Sequence, residues 1–243
     1  MLRLIQTEFL KLRRRKFIWL MLLASLFMPL MSLFYFRNSS ISELTPVQFY
    51  KWTAFSYTPW IVLPVVLGIL CTMLMYDENQ YDMLKQLWII PVDKTGYFFS
   101  KFIVVFFYSI CFMLITATIS LALGILADYI PFDLENTLYL FKKCVEIGVI
   151  TPFSILPLLT TAAWQKGYIL SICITLIYTF LGFILLAINM YLHPLSSMTA
   201  IIMRDMPSVV MPQKLTISAA VFCISAWDIG SIFFANIALN IRK

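Results

Sequence analysis

"LRRRKFIWLMLLASLFMPLMSLFYFR", residues Leu12 to Arg37, sets four consecutive cations against a run, Phe17 to Phe36, of 20 residues that carries no charge. At about 1.5 Å of rise per residue a helix of that length reaches about 30 Å, the thickness of a bilayer's hydrocarbon core. The run exceeds the core of a secretory signal, about 7–15 residues, and no small-x-small cleavage pattern follows it. It reads as a retained span. The rest of the chain repeats the theme: 243 residues are 61% hydrophobic and 12% charged, with a mean hydropathy of +0.89, outside the range of soluble domains.

Further runs without Asp, Glu, Lys or Arg are Trp52–Tyr76, Phe102–Ala127, Ile147–Gln165, Gly167–Met203, and Leu215–Trp227 continuing as Ile229–Ile241. Because lipid offers the backbone no hydrogen bonds, such runs must be helical. The expectation is an all-α integral membrane protein, a single domain over residues 1–243, with spans near 17–36, 53–76, 102–127, 147–165, 168–191 and 215–240. The fifth run is too long for one span. His193-Pro194 disfavours helical continuation, which leaves Leu195–Met203 as an interfacial or re-entrant piece. The five cysteines, Cys71, Cys111, Cys144, Cys173 and Cys223, show no C-x-x-C spacing and read as small packing residues.

Lys and Arg set the orientation. Arg3, Lys11, Arg13, Arg14, Arg15 and Lys16 precede the first span, so the N-terminus is expected in the cytoplasm. Six spans then place Lys85, Lys94, Lys101, Lys166, Arg242 and Lys243 on the same side, against Arg37, Lys51, Lys142, Lys143, Arg204 and Lys214 outside. The Lys142-Lys143 pair fits least well. Before the first span, Leu2, Ile5, Phe9 and Leu12 recur at helical spacing, which predicts an amphipathic helix over residues 1–16 lying in the interface with anionic headgroups.

On this topology the segment over residues 77–101 is the longest cytoplasmic loop. Tyr81, Leu84, Leu87 and Trp88 fall near one face of a short helix, Asp82, Lys85 and Gln86 on others, and Pro91 ends the pattern. Trp, Tyr and Leu on a charged scaffold suit a docking contact with a cytoplasmic partner.

The opening "RLIQTEFLKLRRRKFIWLML", residues 3–22, resembles the start of ABC-2 type permeases, in particular the small six-span subunits of bacitracin-resistance and lantibiotic-immunity exporters. Glu8, Lys11 and Arg13–Lys16 match that form. Glu78, Leu84-Lys85, Pro91 and Lys101 resemble the family's arrangement between the second and third spans, and "AAWQKGYILSICITLIYTFLGF", residues 162–183, is similar to its fourth-to-fifth span turn. The resemblance implies a multi-pass permease of the bacterial plasma membrane with both termini cytoplasmic. It implies a contact with a separate cytoplasmic ATPase dimer through Glu8, Lys11, Glu78, Tyr81, Leu84, Lys85, Leu87, Trp88 and Pro91. It also implies a second permease subunit, identical or related, and an amphipathic peptide or lipid-linked substrate in contact with membrane lipid; no nucleic acid is expected among the partners. The seven glycines never form G-x4-G-K-[ST], so no cofactor is expected on this chain, and ATP and Mg belong to the partner.

Asp228 lies near the middle of the last span, where a carboxylate costs about 3 kcal/mol to insert. Ser225, Ser231 and Asn236 lie roughly along the same helical side, so the four residues are a candidate path or interhelical polar seam. His193, the only histidine, cannot make a metal site by itself and reads as an interfacial loop residue. The aromatic stretch over residues 49–60 reads as an interfacial belt. The chain is expected to transport and not to catalyse: H-E-x-x-H and G-x-S-x-G are absent. The alternatives are a proton-coupled carrier, motivated by Asp228, and an integral membrane enzyme acting on a lipid-linked substrate.

Overall fold

The computed structural model describes residues 2–38, 45–80, 94–165, 167–206 and 215–241. Helix α1 (Leu2–Arg13) stops where Arg15 takes an extended backbone, φ −100° and ψ 105°. Next come α2 (Lys16–Leu22), a tight turn over Leu23–Leu26, and α3 (Phe27–Asn38). Helix α4 (Pro46–Tyr50) starts behind Thr45, whose hydroxyl accepts the Gln48 N–H at 3.4 Å while the Gln48 side chain accepts the Thr45 N–H, a reciprocal cap of two orphan donors. Two widened turns, Lys51–Phe55 and Thr58–Val62, lead into α5 (Leu63–Gln80); Pro59 and Pro64 remove backbone donors there. The remaining helices are α6 (Lys94–Leu126), α7 (Leu134–Ser154), α8 (Leu156–Trp164), α9 (Tyr168–Ile188), α10 (Pro194–Met203) and α11 (Ile217–Ile241). Among the described residues there is no strand.

Six helical stretches are long and apolar enough to cross a membrane: Lys16–Asn38, Pro46–Tyr76, Lys94–Leu126, Leu134–Trp164, Tyr168–Ile188 and Ile217–Asn240. The class and number agree with the sequence expectation. Three helical stretches outrun their uncharged runs: the second begins at Pro46 against Trp52, the third at Lys94 against Phe102 and the fourth at Leu134 against Ile147. The third and fourth runs stop at a charged stretch, but the helix does not, because its inward-facing cation has found partners in other elements.

Lys143 shows how. It is buried, 3% exposed, yet its Nζ meets Glu146 at 2.8 Å, Asp205 at 3.5 Å and the Ile202 carbonyl at 3.1 Å. Arg204 closes the group on Glu146 at 3.3 Å and Asp205 at 2.9 Å. The hydrogen bond from Arg204, ahead of the charge of Lys143, holds the Asp205 carboxyl below its usual range. The cation that fitted the charge bias least well is therefore neutralised internally.

The second and fourth stretches are the interior of the bundle, with 67% of their apolar windows buried against 28% for the first and 22% for the fifth and sixth. Helix α6 lies along α7, α8 and α10 pack on α11, and α9 packs on α5. The α6–α7 contact depends on Gly148, where a Cβ would stand 3.0 Å from the Ile110 Cα. Buried hydroxyls in the spans mostly bond back to their own helix, as Thr72 does to the Gly68 carbonyl at 2.9 Å and Thr151 to the Ile147 carbonyl at 2.7 Å, so they need no partner in lipid. Pro152, and Pro157 in the first turn of α8, break the fourth stretch at Ile155.

Every residue of α10 is buried. The segment after His193-Pro194 is thus a short helix wedged among α7, α9 and α11. All five cysteines are free.

Candidate functional site

Among the described residues Lys101 is the most deeply buried cation, 0% exposed, and it lies two turns into α6. Its Nζ donates to Glu8 Oε2 at 3.1 Å and to the Leu74 carbonyl at 2.9 Å, and stands 4.8 Å from the centre of the Tyr97 ring. Glu8, 3% exposed, gives its other oxygen to Lys11 at 2.7 Å. One ammonium therefore holds α1, α5 and α6 together. A helix carbonyl keeps a second lone pair, which is why Leu74 can accept without breaking α5.

Neighbouring bonds extend the junction. The Tyr108 hydroxyl donates to the Ile18 carbonyl at 3.0 Å, joining α6 to α2. Lys94, at the start of α6, donates to Asn240 Oδ1 at 2.7 Å and the Leu239 carbonyl at 3.2 Å, so it caps the orphan carbonyls at the end of α11. Helices α1, α5, α6 and α11 are thus gathered on one face, from which residues 81–93 leave α5 and return into α6.

The predicted contact residues fall unevenly on this frame. Glu8 is turned inward onto Lys101, and Lys11 is the outer partner, its side chain 44% exposed. Of the stripe predicted for α1, Phe9 is 39% exposed and edges onto Phe107 at 5.9 Å, whereas Leu12 packs on the core. Tyr81, Leu84, Lys85, Leu87, Trp88 and Pro91 lie outside the described residues, as does the side chain of Glu78. Sequence reasoning gave Lys101 and Lys94 no separate role. The available signal was the single carboxylate, Glu8, within an N-terminal segment otherwise rich in cations.

The four polar residues of the last span separate. Ser225 is exposed and bonds back to the Val221 carbonyl at 2.8 Å. Ser231 is buried, and its carbonyl accepts the Thr160 hydroxyl at 3.0 Å. Asn236 lines a crevice with Lys94. Asp228 is half-buried, with Oδ1 enclosed and without a hydrogen-bond partner among the described residues. An apolar groove of about 480 Å³ runs beside Ser231 between α8 and α11, lined by Pro157, Thr160, Trp164, Trp227, Gly230 and Phe234. His193, read from the sequence as an interfacial loop residue, lies in the turn before α10, is 5% exposed and caps that helix.

Six membrane-length helices, with charges used as internal ties between them, define a multi-pass membrane protein. Residues 4–182 match the sequence model described as ABC-2 family transporter protein, and the chain belongs to that family. No curated protein matches it. It is therefore a membrane permease component of a transporter of the ABC class, whose ABC-2 permeases work with an ATPase partner.

Proposed function

We propose that the chain is the permease subunit of an exporter that clears a membrane-active peptide antibiotic, of the bacitracin or lantibiotic type, from the bacterial plasma membrane, with both termini in the cytoplasm. A separate cytoplasmic ATPase dimer binds ATP and Mg and supplies the energy, and a second six-span permease, identical or related, completes the path. Residues 77–101 receive the push, through Glu78, Tyr81, Leu84, Lys85, Leu87, Trp88 and Pro91, with Lys11 at the rim of the same face.

The observation that carries this reading is the Lys101 junction. A force on residues 81–93 acts on the ends of α5 and α6, which Lys101 joins to each other and to Glu8 of α1, while Lys94 passes it to α11. Rigid ties of this kind turn a local displacement into a concerted tilt of several spans. The groove between α8 and α11 opens among apolar side chains of the spans and suits the apolar face of an amphipathic peptide.

Two measurements test the proposal. Expressed with the ATPase gene nearest to its own in a peptide-sensitive bacterium, the wild type raises tolerance to bacitracin or a lantibiotic, and Leu84→Glu with Trp88→Glu abolishes both tolerance and co-purification of the ATPase. Unchanged tolerance to every such peptide removes the substrate assignment. Retained ATPase capture by the double variant removes the docking assignment.

A further inference from the structure

Helix α1 and the first span are separate helices, and the break between them gathers charge. Residues 1–16 hold six cations, Arg3, Lys11, Arg13, Arg14, Arg15 and Lys16, against one carboxylate, Glu8. Helix α1 ends at Arg13, Arg15 takes an extended backbone, and α2 begins at Lys16. The consecutive cations therefore occupy the joint itself, and not the flank of one continuous helix over residues 1–16. Like charges at adjacent positions work against the fold unless an anion stands among them.

The described residues do not supply that anion. Glu8 is turned inward, with one oxygen on Lys101 at 3.1 Å and the other on Lys11 at 2.7 Å. Arg13, Arg14 and Lys16 are exposed, and none of them forms an ion pair with a carboxylate among the described residues. By contrast, Lys94, Lys101, Lys143 and Arg204 each end on a carboxylate or a carbonyl of the bundle. The surroundings of the joint are those of a lipid headgroup. Lys11 and Arg15 line one narrow cleft with Glu8, against Met73 and Leu74 of α5. Directly beyond the joint Phe17, Trp19 and Leu20 of α2 are exposed, as are Phe9 and Leu10 of α1. Cations where the apolar span begins, with large apolar side chains beside them, match the two halves of a phospholipid, its phosphate and its acyl chains. The guanidinium forks of Arg13 and Arg14 fit pairs of phosphate oxygens.

We propose that the joint between α1 and α2 is a binding site for an anionic phospholipid of the leaflet on the N-terminal side. Arg13, Arg14 and Lys16 take the phosphate headgroup, Lys11 and Arg15 stand at its rim, and the acyl chains lie along Phe17, Trp19 and Leu20. The lipid supplies the missing counter-charge and pins α1 against the first span. Since Glu8 of α1 holds Lys101, which also bonds the Leu74 carbonyl, the lipid steadies the junction of α1, α5 and α6 from outside. The site is independent of which peptide the chain moves.

Trp19 reports on the site, because it is exposed just beyond the cations. The full-length chain is placed in phosphatidylcholine vesicles, and its fluorescence is compared with that of Trp19→Phe to isolate this indole. Brominated phosphatidylglycerol is expected to quench the Trp19 contribution with at least about fivefold higher affinity than brominated phosphatidylcholine, the worth of one basic side chain at an anionic surface. Arg13→Gln with Arg14→Gln and Lys16→Gln, all at exposed positions, is expected to abolish that preference. Arg37→Gln with Lys142→Gln, which removes exposed cations elsewhere, is expected to leave it. Equal quenching by the two lipids in the wild type, or a preference that survives the triple variant, overturns the site. Inorganic phosphate in excess, at constant ionic strength, is expected not to displace the lipid; displacement overturns the lipid assignment in favour of a soluble anion. Adding phosphatidylglycerol to the vesicles is also expected to raise the melting midpoint of the wild type and not of the triple variant. An unmoved wild-type midpoint, or a triple variant destabilised equally with and without phosphatidylglycerol, overturns the pinning.

Discussion

Replacing Lys101 by Met tests the central tie. The side chain is fully buried and bonds to Glu8 and to the Leu74 carbonyl. Met keeps the length and the apolar stem but strands the Glu8 carboxylate at 3% exposure. Breaking a buried pair by removing one partner costs about 3–5 kcal/mol. Glu8 still holds Lys11 at 2.7 Å, which places the loss at the lower end, about 3 kcal/mol. For a domain of this size that lowers the melting midpoint by roughly 6–12 °C, read by a thiol-reactive dye on the buried cysteines in detergent. Removing both charges, in Glu8→Gln with Lys101→Met, leaves no stranded ion, and the double variant should recover most of the loss. The expected interaction is about 2 kcal/mol in a double-mutant cycle. Single losses that add to within about 0.5 kcal/mol, or a Lys101→Met midpoint equal to wild type, would refute the reasoning.

Other outcomes follow from the same geometry. Lys143→Met removes one partner from Glu146 and Asp205, which keep Arg204, and should destabilise by about 1.5–3 kcal/mol, the worth of its charged hydrogen bonds, whereas Lys142→Met, on the exposed face, should stay within about 0.5 kcal/mol in the same melt. Gly148→Ala should cost about 1–3 kcal/mol, because the neighbour at 3.0 Å is the backbone of Ile110, while Gly230→Ala, with nothing within 4 Å, should gain up to about 1 kcal/mol in helix propensity. His193 adds a pH dependence. Its folded value of about 4 lies below the ordinary histidine value of 6.5, so the unfolded chain binds the extra proton. Its contribution is complete above about pH 6.5 and is lost as pH falls toward 4, at up to about 1.4 kcal/mol per unit. His193→Gln should flatten that slope in urea titrations between those limits, and an unchanged slope would contradict the buried neutral ring.

The hydropathy of the chain was enough to define the class and to count the spans, because a segment in lipid must satisfy its own backbone, and that demand is local. Phe17–Phe36 and Trp52–Tyr76 could be read this way from composition alone. His193-Pro194 likewise announced the break between α9 and α10, since proline restricts the residue before it. The partners of the charges were not legible. Lys101 meets a carboxylate 93 positions away, and Lys143 meets a carbonyl 59 positions away, so each run seemed to end where a charge occurred, although the helix passes through it. Ser225 and Ser231 share a sequence pattern with Asp228, yet one is exposed and the other buried, because the tilt and neighbours of α11 decide which side faces α8. Local free energy of transfer is written residue by residue; the cost of a buried charge depends on what another helix brings to it, and only the packed bundle determines that.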